Sequence, residues 1–248
     1  MNENNATPVD QERRQFLTAS AAMAGVAIAP GVVLYNIAHG KPADQPVSNA
    51  VRWGMLIDTN QCREGCDACV RACGEENGFG HGTRETDSQW IRKVELKDMR
   101  SGRTKSLPVM CQHCAEPPCV DVCPTGASFK RPDGIVLVDR HICIGCRYCM
   151  MACPYKARSF VHERLTDQNP DVPRGIGCVE SCTMCVHRVD RDQQPACVEA
   201  CAKAGHGAII FGNLNDPNSE IAKRIAQYAT VELRADLKLN LGVRYQGF

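Results

Sequence analysis

Sixteen of the seventeen cysteines in this 248-residue chain fall into four blocks, and no other feature limits the fold so tightly. The first block is Cys62, Cys66, Cys69 and Cys73, and the second is Cys111, Cys114, Cys119 and Cys123. The third is Cys143, Cys146, Cys149 and Cys153, and the fourth is Cys182, Cys185, Cys197 and Cys201. The third reads C-x2-C-x2-C-x3-C and is followed by Pro154. In that run three thiolates hold one [4Fe–4S] cluster and the fourth reaches a second. Closely spaced thiolates on a loop can wrap three corners of a cubane, while the longer step carries the last cysteine into a short helix pointing elsewhere. Proline then ends the ligand segment.

Blocks that lend their last cysteine must pair. The second and third are neighbours, joined by Pro124-Thr125-Gly126-Ala127 and the apolar strand Ile135-Val136-Leu137-Val138. They are expected to form one two-cluster unit, with Cys111, Cys114 and Cys119 joined by Cys153, and Cys143, Cys146 and Cys149 joined by Cys123. By elimination the first block pairs with the fourth, setting Cys62, Cys66 and Cys69 with Cys201, and Cys182, Cys185 and Cys197 with Cys73. Four [4Fe–4S] clusters follow, with a two-iron cluster as the alternative where the spacing is irregular.

Other uses of the thiols fit less well. A disulfide scaffold is usually much shorter than this chain and lacks a complete ferredoxin run. Structural zinc closes at four ligands drawn from two cysteine pairs, and these blocks do not divide that way. Cys178 is left over. With Cys182 and Cys185 it repeats the spacing of Cys62, Cys66 and Cys69, which makes it an alternative ligand, but a spare cysteine is more often a small buried apolar side chain. His113, His141 and His187 lie in or beside the blocks. With sixteen corners already filled, they read as hydrogen-bonding or surface-charge groups, each with a plain solvated histidine as the alternative.

The expected fold class is α+β: two ferredoxin-like two-cluster modules with an inserted hairpin and a C-terminal helix and tail. Aromatic residues make up only 5% of the chain, so a core built on large apolar side chains is not expected. The four-cluster domain is placed at 50–215 and the helix and tail at 216–248. Strands are predicted at Val51–Asp58, Gly134–Val138 and Ala208–Phe211, with short helices after the blocks. Between Cys73 and Cys111, Trp90 to Lys97 alternates, Ser101-Gly102 turns and Thr104 to Met110 returns, a hairpin that would shape a partner surface. Trp90 is read as core-packed, with a partner anchor as the alternative. Asp216-Pro217 should start a helix running to about Ala229, and the rest of the tail shows no chemistry.

Charge gives no footprint for nucleic acid, with 29 Lys and Arg against 28 Asp and Glu. Beyond about residue 50 no apolar run approaches the roughly 18 residues a spanning helix needs. The N-terminus differs from the rest. Polar residues lead to Arg13-Arg14-Gln15-Phe16-Leu17, and a mildly apolar stretch from Ala19 to Tyr35 follows, broken by Pro30 and Gly31. The pattern resembles a twin-arginine signal peptide over residues 1–43, with Asn36-Ile37-Ala38 or Lys41-Pro42-Ala43 as the cleavage region and an uncleaved membrane anchor as the alternative. That route exports folded proteins, which suits oxygen-sensitive cofactors loaded in the cytoplasm. A periplasmic location is therefore expected.

The segments Cys111-Gln-His-Cys-Ala-Glu-Pro-Pro-Cys-Val-Asp-Val-Cys-Pro-Thr-Gly-Ala127, Cys182-Thr-Met-Cys-Val-His-Arg188 and Pro195-Ala-Cys-Val-Glu-Ala-Cys201 are similar to the four-cluster iron–sulfur subunits of the dimethyl-sulfoxide reductase type. In that family the first block pairs with the fourth and the second with the third. Within it, the signal and the first block, from Cys62-Arg-Glu-Gly-Cys66 to Asn77, resemble the periplasmic iron–sulfur subunits of the dissimilatory sulfite-reductase-associated (Dsr) membrane complex. Two departures, the extra residue between Cys62 and Cys66 and Ala202 in place of proline, both fall in the first–fourth pair. The resemblance implies an electron-transfer subunit docked on an integral-membrane quinone-interacting subunit and exchanging electrons with a c-type cytochrome or another redox subunit. With a cysteine for every iron corner, no open position is left for a substrate, and no catalysis of its own is expected. Two alternatives stand: the electron-transfer subunit of an exported molybdopterin oxidoreductase, and a cluster-based redox sensor.

Overall fold

In a computed structural model of the chain, the residues described are 46–80, 82, 84–166 and 168–247, together with two short strands, β1 (Ala27–Ala29) and β2 (Val32–Val33). These two strands pair antiparallel in a unit spanning 1–42. The twin-arginine pair and both cleavage candidates lie outside the described residues. Residues 43–248 form the second compact unit. Among the described residues no helix is long and apolar enough to cross a membrane.

The frame of the second unit is a four-stranded sheet of β3 (Trp53–Asp58), β10 (Ile209–Asn213), β11 (Thr230–Val231) and β12 (Val243–Gln246), in the order β10-β3-β12-β11. Its central strand β3 (Trp53–Asp58) carries the unbroken apolar run Met55-Leu56-Ile57, all three wholly buried, as a strand covered on both faces requires. Burial of each such side chain contributes about 1.5–3 kcal/mol. On one side β10 (Ile209–Asn213) runs antiparallel with Phe211 opposite Met55, and the Phe211 ring stacks on Trp53 at 5.0 Å. On the other side β12 (Val243–Gln246) runs parallel with Tyr245 opposite Ile57, and β11 (Thr230–Val231) closes the edge. The tail that showed no chemistry in sequence thus supplies a central strand, with Val243 and Tyr245 fully buried. The approach there is close. A Cβ on Gly54 would stand 2.5 Å from the Gly242 carbonyl oxygen.

The inserted hairpin forms as its alternation predicts, β4 (Ile91–Lys97) against β5 (Thr104–Met110), with Ile91 opposite Met110. Trp90 packs in the core, 2% exposed and 5.2 Å from the Phe79 ring. Two small antiparallel pairs complete the strands: β6 (Ser128–Lys130) with β7 (Val136–Val138), and β8 (Arg158–Phe160) with β9 (Val179–Ser181). The short helices lie inside the cysteine blocks rather than after them: α1 (Ala68–Glu76) carries Cys69 and Cys73, α2 (Pro118–Asp121) carries Cys119, α3 (Tyr148–Ala152) carries Cys149, α4 (Val186–Val189) starts directly after Cys185, and α5 (Ala196–Lys203) carries Cys197 and Cys201. The late helix α6 spans Glu220–Gln227, starting a turn beyond Asp216 because the Ser219 hydroxyl caps it by accepting from the Ala222 N–H.

Helix α1 packs on α5, and α2 packs on α3. The first pair is tied by Glu76, whose carboxylate meets His187 Nε2 at 2.7 Å and accepts from Arg188 Nη1 at 2.9 Å, while Arg188 Nη2 donates to Glu199 at 2.6 Å. Burial alone would raise the Glu76 pKa, but the donors His187 and Arg188 outweigh it and hold the carboxyl below its ordinary value.

Candidate functional site: four cysteine quartets

All seventeen cysteines are free thiols, and the sixteen block cysteines gather four at a time. Cys62 and Cys69 each lie within electrostatic reach of Cys66 and Cys201. Cys73 faces Cys182, Cys185 and Cys197, and these four line one internal cavity. Cys114 faces Cys111, Cys119 and Cys153. Cys123, Cys143, Cys146 and Cys149 line a further cavity. In each group three thiols come from one block and the fourth from its partner block. The juxtaposition of blocks one and four is built by α1 against α5, and that of blocks two and three by α2 against α3.

The quartets lie within electrostatic reach of one another in succession. Cys69 neighbours Cys197, Cys182 neighbours Cys111, and Cys149 neighbours Cys119. The order is therefore the Cys62 quartet, the Cys182 quartet, the Cys111 quartet and the Cys143 quartet. The two inner quartets consist of buried cysteines only, whereas Cys62 and Cys66 at one end and Cys123 and Cys143 at the other are half-buried, and Cys146 is exposed.

The residues around these thiols fit [4Fe–4S] clusters. The loops bend through left-handed positions inside or beside the C-x2-C steps: φ is 71° at Gly65, 44° at His113, 64° at Arg147 and 53° at Met184. Backbone in this conformation turns successive N–H groups inward and forms a nest for an anion, a device shared by many iron–sulfur sites. The cysteine lent to the partner block receives its own donor in every case. Ser128 N–H donates to Cys123 Sγ at 3.3 Å, Ala157 N–H to Cys153 Sγ at 3.5 Å, Ala208 N–H to Cys201 Sγ at 3.3 Å, and Asn77 Nδ2 to Cys73 Sγ at 3.6 Å. Among the described residues Arg158 Nη1 is buried without a hydrogen-bond partner, an orphan donor beside two quartets. Burial pushes Cys69, Cys111 and Cys114 up to about 12, and also holds Cys73, Cys182 and Cys197 well above the ordinary thiol value. Thiols packed this deeply become thiolates only against a strong cationic centre, which iron provides.

The histidines divide. His113 is not a surface charge: it is 1% exposed, its Nδ1 accepts from the Val136 N–H at 3.0 Å, and burial lowers its pKa to about 3. His187 is bound to Glu76, and His141 is exposed. Cys178 is buried, and its thiol donates to the Arg140 carbonyl at 3.3 Å, as a small packed side chain does. Sequence reasoning missed Arg158, one of two cations in Lys156-Ala-Arg-Ser-Phe160, with no spacing signal to mark it.

Cysteine quartets in succession on a small α+β frame, with backbone and side-chain donors aimed at sulfur, define a ferredoxin-type electron carrier with several clusters. The 4Fe-4S dicluster domain family matches residues 103–213. The chain is 43% identical to Hdr-like menaquinol oxidoreductase iron-sulfur subunit 1 of Archaeoglobus fulgidus over 94% of its own length and 97% of that protein. It is 38% identical to a subunit of tetrathionate reductase from Salmonella typhimurium, over 89% and 81% of the two chains, and 37% identical to protein NrfC of Escherichia coli, over 94% and 92%. The chain belongs to this family of ferredoxin-type iron–sulfur subunits, of the Hdr-like menaquinol oxidoreductase and dimethyl-sulfoxide reductase type. It is an electron-transfer subunit of such oxidoreductase complexes, and its complement is four [4Fe–4S] clusters.

Proposed function

We propose that this chain is exported by its twin-arginine signal and serves in the periplasm as the iron–sulfur subunit of a Dsr-type complex of sulfur metabolism. There it relays electrons between an integral-membrane quinone-interacting subunit and a c-type cytochrome or other redox subunit. The quinone link is supported by the name of the Archaeoglobus relative, a menaquinol oxidoreductase subunit. The observation that carries the reading is the succession of quartets with buried middle members and accessible ends. When bound, the clusters supply one-electron transfer. The sixteen block cysteines are their proposed ligands, grouped as above, in two ferredoxin-like modules spanning 50–215 with 216–248 as helix and tail.

What the chain does follows from its own residues. Cys111, Cys114, Cys119 and Cys153, like Cys73, Cys182, Cys185 and Cys197, are kept from water, so the interior of the path is shielded from side reactions. The donors from Asn77, Ser128, Ala157 and Ala208 stabilise negative charge on the lent sulfurs. Near the Cys62 end, Lys93 Nζ donates to the carbonyls of Arg63 and Cys66 at 2.8 and 2.7 Å and opposes the rise that burial causes in the Cys62 pKa. A second reading, in which the outer partner is a large catalytic reductase subunit, is favoured by the likeness to the tetrathionate reductase subunit.

Anaerobic purification of the chain with its membrane partners tests both. Iron and sulfide near 16 of each per chain, with a quinone-reactive membrane subunit and a cytochrome co-purifying, is the expected result. A large reductase subunit in place of the cytochrome would select the second reading, and bound zinc with little iron would overturn both. Replacing Arg13 and Arg14 by lysine should hold the chain in the cytoplasm; unchanged export would remove the signal assignment.

A further inference from the structure

The Cys111 and Cys143 quartets meet across one charged side chain. Arg158 begins β8, five residues after Cys153, and is only 6% exposed. Its Nη2 donates to Cys119 Sγ at 3.1 Å. The same guanidinium faces Cys111, from the same quartet as Cys119, and Cys149, from the other. Nη1 is buried with no hydrogen-bond acceptor among the described residues. A guanidinium stays protonated in any protein environment, so it cannot escape burial by losing its proton. Burying an uncompensated charge is costly, and the groups around this one are thiols. Neutral thiols do not compensate a cation, whereas a cluster with four thiolate ligands carries net negative charge in both of its working oxidation states. The orphan Nη1 likewise needs an acceptor, and sulfur of a bound cluster could supply one.

We propose that Arg158 is a potential-setting residue shared by the two clusters of the Cys111 and Cys143 quartets. This rests on the ligand grouping proposed above. Adding an electron makes either cluster more negative by one unit, so a fixed positive charge between the two stabilises the reduced form of each and raises both potentials. Among the described residues the thiols that face this guanidinium most strongly are Cys119, Cys111 and Cys149, none of them from the Cys182 or Cys62 quartet, so its effect should fall first on the Cys111 and Cys143 clusters. One residue thereby makes the Cys143 half of the path the better electron acceptor, without altering a single ligand.

The test uses the intact chain in two variants, Arg158→Gln and Arg158→Lys, each analysed for iron and sulfide and then titrated potentiometrically with paramagnetic-resonance detection. With full iron retained, two of the four midpoints should move to more negative values in the glutamine chain, and the same two should move less in the lysine chain. If the glutamine chain loses iron, the lysine chain alone decides, by whether two midpoints move while two hold still. Four midpoints moving together, or none moving, would overturn the proposal. A wild-type chain lacking four clusters would instead remove the functional reading beneath it.

Discussion

The ion pair between Arg174 and Glu180 offers a quantitative check on the frame that delivers block four. Both side chains are buried, at 8% and 3% exposure, and the contact is two-pronged: Arg174 Nε donates to Glu180 Oε2 at 3.0 Å and Nη2 to Oε1 at 2.7 Å. Arg174 Nη2 also donates to Ser88 Oγ at 2.8 Å, so the pair pins the 168–174 segment and the start of the hairpin insertion to β9, two residues before Cys182. Replacing Glu180 by Gln keeps the shape but leaves a buried guanidinium without its counter-charge. Breaking a buried pair in this way costs about 3–5 kcal/mol. For a urea dependence of about 2 kcal/mol per molar, the midpoint of anaerobic unfolding, followed by loss of far-ultraviolet ellipticity, should fall by about 1.5–2.5 M. The double variant Arg174→Met with Glu180→Leu removes both charges together and should recover most of the loss, because the pair had to repay its own desolvation. A single substitution costing under about 1 kcal/mol, or a double variant worse than either single one, would refute the reasoning.

Three further outcomes are expected. Cys201→Ser should lower bound iron by about four atoms per chain, the content of one cubane, and leave the signals of the Cys111 and Cys143 quartets intact; loss of all iron would mean that the quartets do not load separately. Gly145→Ala should destabilise the Cys143 end and speed its iron release to a chelator, since φ is 70° there and the new Cβ would stand 2.3 Å from the Gly177 carbonyl oxygen; an unchanged release rate would contradict that contact. Glu76 has a depressed pKa in the folded chain, so its contribution is fully present above the unfolded carboxylate value and is lost as pH falls through the folded one. Glu76→Gln should therefore be less stable than wild type near neutrality and converge with it in acid, in thermal unfolding scans across that range; a constant gap would argue against the linkage.

Much of this was legible because the cluster chemistry leaves a covalent signature. Thiolate spacing announces Cys143 to Cys153 in one dimension, and the alternation of residues 91–97 and 104–110 announces a hairpin. Strand β12 left no such trace: Val243-Arg-Tyr-Gln246 is too short for a period, and its membership in the sheet is decided by the distant run Met55-Leu56-Ile57. His113 looks like any polar residue between two cysteines, and only the approach of the Val136 N–H shows why an acceptor is needed there. The start of α6 was displaced because Ser219 caps better than the Asp216-Pro217 pair that precedes it. Arg158 was invisible for the same reason that makes it interesting: its partners are thiols from Cys111 to Cys149, assembled by folding.

The placement of β3 between two strands that come late in the chain sets a timetable for synthesis. As the polypeptide emerges from the ribosome, residues 111–153 contain all the thiols needed for the Cys111 and Cys143 quartets, so that half can close on local contacts alone. Met55, Leu56 and Ile57 must meanwhile wait for residues 209–213 and then 243–246 before either edge of their strand is covered. An apolar strand with both edges open is an invitation to pair with the wrong chain. The half-made protein therefore needs shelter until its last strand arrives, whatever its iron content at that moment.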